Sequence, residues 1–182
     1  MAEEALPISV TVLDHIDPKE LRLIVDAKNN SDRPIFLFNI LHKQFGEDGF
    51  YGLDNVYSEI SSGILHISQK LFPIPALRSV ERPNVPFVTV VEAGTNYSWE
   101  IRVDLPIHLH NPYGVQPAES SRSPAMYRAV FQLGYFLGVE ATRKLLKEFP
   151  VRSGHSIGFD VFPEGSQRMI SVDLKDALPV IV

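Results

Sequence analysis

Cysteine is absent from the 182-residue sequence. Its absence excludes disulfide bonds, cysteine nucleophiles, zinc–thiolate centres and iron–sulfur clusters. The common phosphate-binding loops are also missing, because neither the G-x-x-x-x-G-K-[ST] pattern nor the G-x-G-x-x-G pattern occurs. The sequence therefore predicts no nucleotide-dependent chemistry and no cofactor.

Positive charge is scarce. The chain has 17 lysines and arginines against 22 aspartates and glutamates, which gives a formal net charge of −5 at pH 7. A chain with this charge lacks the basic field that attracts the phosphates of nucleic acid or of anionic lipid. We therefore expect no nucleic-acid partner.

Long apolar stretches are missing as well. No uninterrupted apolar run approaches the roughly 18 residues that a membrane-spanning helix needs. The first residues, MAEEALPISV, include two acids and no long apolar run. They have the features of neither a secretory signal nor a mitochondrial transit peptide. We therefore expect no membrane partner and a cytoplasmic location.

The composition that remains is typical of a folded globular protein, with 45% hydrophobic and 21% charged residues. A chain of this length is long enough for one sizeable core but marginal for two independent domains. The sequence therefore predicts a single domain over residues 1–182.

The clearest local signal is a period of two over residues 97–105. Tyr97, Trp99 and Ile101 alternate there with Ser98 and Glu100. Successive side chains of a strand point to opposite faces, so this pattern predicts one apolar and one polar face. Residues 21–27 alternate similarly, and residues 35–41 are apolar at nearly every position, as in a strand buried on both faces. Further strands are predicted at residues 8–13, 64–71, 87–92, 126–136, 156–162 and 169–174.

Turn signals separate several of these strands. Residues 29–34 (NNSDRP) and the glycine-containing segments EAGTN and PEGSQ have compositions that favour chain reversal. About eight strands joined by turns predict an all-β fold, namely an antiparallel β-sandwich with an immunoglobulin-like general layout. One segment departs from the pattern, because Val139, Thr142 and Leu145 follow helical spacing. A short helix is predicted near residues 139–148.

Two connections are longer than compact domains usually need. Residues 42–58 contain three glycines and four aromatic residues, and residues 110–124 contain prolines at 112, 117 and 124. Aromatic side chains on such loops offer a large contact area at low entropic cost. We therefore predict that a ligand or partner contacts Phe45, Phe50, Tyr51, Tyr57 and Tyr113.

The segment LPIHLHNPYGVQP contains a His-x-His pair, His108 and His110. Continuing the period of two places both imidazoles on the polar face, as two ligands of one metal ion would be. A third ligand must come from another strand, because Asp104 lies four residues from His108, roughly 13 Å along an extended chain. The pair is therefore a candidate metal site, and its alternative is the solvated face of a strand.

Three functions are compatible with these patterns. We favour a non-enzymatic binding or protein-interaction module that presents long loops from a β-sandwich. The first alternative is a metal-dependent or hydrolytic enzyme that uses His108 and His110. The second alternative is a carbohydrate-binding module that uses the loop aromatics. The protein or small-molecule partner is not identified by the sequence, and a strand at residues 8–13, if it lies at a sheet edge, predicts a homodimer through sheet extension.

Overall fold

The computed structural model describes residues 7–45, 48–75, 80, 84–114, 123–151, 154–160 and 167–182. The described elements are, in chain order, β1 (Ile8–Ile16), β2 (Glu20–Asn29), β3 (Ile35–Phe45), β4 (Asp48–Gly52), β5 (Tyr57–Ser61), β6 (Ile64–Gln69), β7 (Phe87–Val91), β8 (Asn96–Asp104), β9 (Ile107–His108), β10 (Ala125–Leu137), α1 (Glu140–Arg143), β11 (Leu146–Val151), β12 (Gly154–Phe159) and β13 (Arg168–Ile181). No helix among these residues is long and apolar enough to cross a membrane.

The strands form two sheets. The smaller sheet has the order β1-β2-β8, and all of its pairings are antiparallel. The larger sheet has the order β11-β12-β7-β3-β10-β13-β9; β4 pairs with β3, and the β5–β6 hairpin joins it through β6 and β10. The hairpin turns at Ser62 and Gly63, which both have positive φ values of 52° and 76°. Two positive φ values in a two-residue loop match the right-handed twist of the flanking strands.

The main hydrophobic core lies between the two sheets. The alternating residues of β2 face it, since Leu21, Leu23, Val25 and Ala27 are fully buried. From the larger sheet, β10 contributes Phe131, Leu133 and Tyr135 to the same core. This part of the structure confirms the all-β prediction and the prediction of two packed layers.

A second apolar cluster covers the opposite face of the larger sheet. Phe36 and Phe38 of β3 alternate with the core-facing Ile35 and Leu37, and they pack with Phe136 of β10. The Phe38 and Phe136 rings meet edge to face, with centroids 5.2 Å apart. Strand β3 is therefore buried on both faces, which explains its nearly continuous apolar sequence.

Strand β10 pairs with three other strands of the larger sheet. On one edge it pairs first with β6, from Ala129 to Leu133, and then with β3, from Tyr135 to Leu137; on the other edge it pairs with β13. The β6–β10 and β9–β13 pairings are parallel. The larger sheet is therefore mixed, whereas the sequence predicted antiparallel pairing. The immunoglobulin-like layout and the single domain stay predictions.

The helix predicted near residues 139–148 is present but shorter than predicted. The helix α1 has only four residues, Glu140–Arg143, and residues from Leu146 onward form strand β11. Strand β11 pairs antiparallel with β12, and Lys147 forms an ion pair with Asp160 beyond the end of β12. Strand pairing with β12 thus outweighs the helical spacing of the apolar residues.

The prediction of a long loop at residues 42–58 is also wrong. Residues 42–45 continue β3, residues 48–52 form β4, and β5 begins at Tyr57, so most of residues 42–58 belong to strands. The EAGTN turn is confirmed, because it joins β7 to β8 with Gly94 at a φ of 70°. Most of the PEGSQ turn and residues 115–122 of the second long connection lie outside the described residues.

Candidate functional site

The main hydrophobic core lies between the two sheets, and a group of aromatic rings lies outside it. We call this group the aromatic belt. Ring-to-ring contacts and the packing around Tyr57 form two groups of rings, and the hydrogen bond from the Tyr57 hydroxyl to the His42 carbonyl joins them. The members are His42, Tyr51, Tyr57, Phe72, Phe87, His110, Tyr113 and Phe149.

Tyr51 is the most exposed tyrosine in the belt, with 39% of its surface accessible. It lies on β4 directly opposite His42 of β3, so the register of this hairpin brings the two rings to a centroid distance of 4.9 Å. The centroid of the Tyr51 ring also lies 4.2 Å from the centroid of the Phe87 ring. Burial raises the pKa of the Tyr51 hydroxyl and lowers the pKa of His42. Tyr51 is thus a partly exposed ring in contact with two other rings.

The absence of a side chain at Gly158 leaves room for the Phe87 ring. The Phe87 ring also lies 5.6 Å from Phe149 of β11. A Cβ atom at Gly158 of β12 would lie 2.7 Å from Phe87 Cδ1, which is closer than side chains tolerate. The absence of a side chain at this position therefore lets the ring rest against the strand backbone.

Tyr57 lies at the interior of the belt and is only 2% exposed. Its hydroxyl donates a hydrogen bond of 2.8 Å to the His42 carbonyl, and its ring meets Phe72 edge to face at 5.2 Å. Burial, followed by the nearby Tyr51 and Tyr113, raises the pKa of Tyr57 above its usual range. Because so little of it is accessible, Tyr57 supports the surface from beneath and does not offer the contact area that the sequence predicted.

A polar group adjoins the belt where β5, β6 and β10 run side by side. Lys70 Nζ lies 3.2 Å from Glu59 Oε1, 2.8 Å from Gln132 Oε1 and 4.5 Å from the centre of the Phe72 ring. The Asn111 amide donates to Glu59 Oε2 at 3.0 Å. The Lys70 side chain is only 14% exposed, so water screens its contacts with these partners less than it would those of a surface lysine.

The two histidines of the His-x-His pair have different surroundings. His108 is exposed on β9, as predicted, whereas His110 is partly buried and its ring lies 5.6 Å from the Tyr57 ring. The segment is held to β5, because Ser58 and His110 exchange two backbone hydrogen bonds of 2.7 and 2.9 Å. No group of three or more histidine, aspartate or glutamate side chains in the described part of the chain is placed to hold a metal ion. The metal site at His108 and His110 stays a prediction.

Sequence reasoning found part of this surface. Tyr51, Tyr57 and Tyr113, which lie in different segments, do come together. The side chains of Phe45 and Phe50 lie outside the described part of the structure. Sequence reasoning missed Phe72, Phe87 and the Lys70–Glu59 pair, because only strand pairing brings these residues to the tyrosines. It assigned His110 to a metal site and not to this surface.

In comparisons with known proteins, no protein-family model, curated protein or solved structure matches the chain.

Proposed function

We propose that this protein is a non-enzymatic binding module whose contact surface is the aromatic belt, with Tyr51 as its principal anchor. The observation that carries the proposal is the position of the Tyr51 ring, which is 39% exposed yet braced by His42 and Phe87. A braced aromatic ring loses little conformational freedom when a partner covers it, and such rings dominate the energetics of many interfaces.

A protein segment is the partner we favour. Half-buried rings flanked by polar groups resemble the centre and rim of a protein interface. The rim in this case consists of Glu59, Lys70 and Asn111, whose mutual contacts hold them in fixed positions.

A carbohydrate is the second candidate ligand. The Glu59 carboxylate and the Asn111 amide lie together, and Asn111 also accepts a hydrogen bond of 2.9 Å from the Tyr113 backbone N–H. A carboxylate and an amide close to aromatic rings supply the acceptors, donors and apolar faces that a sugar ring requires.

One binding experiment separates these functions. The purified protein is applied to a peptide library and to a glycan array, and each binder is then measured with the wild type, with Tyr51→Ala and with Leu13→Ala. Leu13 is a matched control, because it is an exposed apolar residue, 55% accessible, on the other sheet. We expect Tyr51→Ala to weaken binding at least about tenfold and Leu13→Ala to leave it unchanged.

The outcomes differ for each candidate. Peptide binders that depend on Tyr51 support the interaction module, and glycan binders that depend on it support the carbohydrate module. Binding that both variants retain, or chemical conversion of the bound ligand, would contradict the proposal.

The enzyme alternative has its own test. A rise in melting temperature with zinc or nickel that the His108→Ala/His110→Ala double variant loses would support a metal-dependent enzyme. The cytoplasmic location stays a prediction, which fractionation of the source cells would check.

A further inference from the structure

Strand β8 is a long, regular strand at the edge of the smaller sheet. All nine of its residues, Asn96–Asp104, pair with β2 without a register shift. No described element pairs with its other side. Proteins commonly protect such edges with proline, a bulge or a covering segment. Within its own length β8 has no proline and no bulge.

The hydrogen bonds at its two ends establish which residues face the free edge. The Thr95 carbonyl accepts from Asn29 N at 2.9 Å, and Leu105 N donates to the Lys19 carbonyl at 2.9 Å. Both odd-numbered residues therefore point their backbone groups toward β2. Because backbone direction alternates along a strand, the even-numbered residues of β8 present their N–H and C=O groups to the free edge. These residues are Asn96, Ser98, Glu100, Arg102 and Asp104.

This alternation limits how a second copy of the chain can pair with β8. In an antiparallel dimer the even-numbered residues must lie opposite even-numbered residues of the second copy, so that their backbone groups bond. A two-fold axis at Ile101 satisfies this condition and places Glu100 opposite Arg102 of the second copy, and Arg102 opposite its Glu100. An axis at Glu100 or at Arg102 would instead bring like charges together, which destabilises a strand pair.

The charges near this axis are already ordered. Glu100 accepts hydrogen bonds from Arg22 Nη2 at 2.5 Å and from Arg102 Nε at 2.6 Å. These contacts lower the pKa of Glu100, with the Arg22 hydrogen bond as the largest cause. The Arg102 side chain remains 61% exposed, and a carboxylate can accept further hydrogen bonds. Two copies would therefore form a ring of alternating charges across the axis.

We propose that the protein forms a two-fold dimer by antiparallel pairing of β8 with β8 of a second copy, with the axis at Ile101. The two smaller sheets then join into one sheet of six strands. On the core-facing side Trp99 lies opposite Val103 of the second copy, which extends the apolar face already formed by the stacked Tyr97 and Trp99 rings. The dimer does not depend on the aromatic belt.

Strand β1, through which the sequence predicted a dimer, is a poorer edge. It also lies at one side of the smaller sheet. The Asp14 carboxylate on β1, however, accepts a hydrogen bond of 3.1 Å from the backbone N–H of Lys175, which belongs to β13. Strand β13 thus approaches β1, whereas no described strand pairs with β8 on its free side.

Opposite charge reversals test this register directly. Arg102→Glu alone gives a chain with acids at both positions, and Glu100→Arg alone gives a chain with arginines at both positions. Each variant should weaken its own dimer by roughly 10- to 100-fold, because like charges then face each other across the axis. An equal mixture of the two should restore a heterodimer, because every facing pair is again of opposite charge. Sedimentation equilibrium over a wide range of protein concentration measures each state.

Controls separate a lost interface from a lost fold. Lys28→Glu reverses an exposed charge on the same face of the same sheet, but on the middle strand β2. It should leave the dimer unchanged. Each variant's melting temperature shows that it folds. A wild type that stays monomeric at the highest concentration, a dimer that tolerates both reversals, or a mixture that fails to associate would each overturn the proposal.

Discussion

Two buried asparagines differ in their hydrogen bonding. Asn39 of β3 is fully buried, and neither atom of its side-chain amide has a hydrogen-bond partner among the described residues. Asn55 is also buried, but its Nδ2 donates to the Leu41 carbonyl at 2.9 Å. An unsatisfied buried polar group costs about 1 to 3 kcal/mol, and an apolar group of similar shape avoids that cost.

Leucine substitutions at these two sites should therefore have opposite effects. We expect Asn39→Leu to raise the free energy of unfolding by about 1 kcal/mol, and Asn55→Leu to lower it by about 2 kcal/mol. Urea unfolding of the two variants measures both changes. Destabilisation of similar size in both would show that Asn39 has a polar partner in solution.

At the scale of elements, Gln167 links β6 to the start of β13 across β10. Its side-chain Oε1 accepts from Leu71 N at 2.7 Å, and its Nε2 donates to the Leu71 carbonyl at 3.0 Å. The amide lies over Gly134 of β10, where an added Cβ would be 2.3 Å from Gln167 Oε1. Gly134 is therefore part of this connection, although it makes none of the hydrogen bonds.

Gly134→Ala should displace the Gln167 side chain and remove both hydrogen bonds. We expect each single variant, Gly134→Ala and Gln167→Ala, to lower the free energy of unfolding by about 1 to 2 kcal/mol. The double variant should cost little more than either one, because the same two bonds are lost. Additive losses in urea unfolding would contradict this link.

Elements whose own sequence shows a clear period were predictable. Strands β2 and β8 were found because their apolar residues alternate, and that alternation reflects burial on one face. Strand β11 was missed because Leu146 and Phe149 are three residues apart, and its extended form depends on pairing with β12. The aromatic belt was found only in part for the same reason, since Phe72 and Phe87 reach Tyr57 and Tyr51 through pairings that a single sequence does not reveal.

At the scale of the whole molecule, one fully buried side chain joins the two sheets. Gln69 at the end of β6 accepts from Trp99 Nε1 of β8 at 3.0 Å, and its Nε2 donates to the carbonyls of Leu53 and Asn55 at 2.7 and 3.0 Å. Replacing this amide leaves three polar groups without their partner, and two of them, Trp99 Nε1 and the Asn55 carbonyl, belong to buried hydrogen bonds.

Gln69→Leu should therefore lower the free energy of unfolding by about 3 to 5 kcal/mol. The sequence has a single tryptophan, so its fluorescence reports on the surroundings of Trp99, which include this hydrogen bond. We expect a shifted emission maximum and a lower urea midpoint. Asn30→Leu is the control, because Asn30 is exposed and its amide makes one hydrogen bond, of 3.3 Å to Ser9 Oγ, so the substitution should cost less than about 1 kcal/mol. Equal losses in the two variants would contradict the bridging role.

The placement of β8 beside β2 also has a kinetic consequence. Residues 20–28 meet residues 96–104, and β6 meets β10 from Ala129 to Leu133, so both sheets are completed by segments that lie far apart in the chain. Bringing distant segments together costs loop-closure entropy before the contacts between them can stabilise the fold. The local hairpins β1–β2 and β5–β6 can form early, but the core between the sheets must wait for β8 and β10. Folding should accordingly take milliseconds to seconds, as in other proteins dominated by non-local strand pairing.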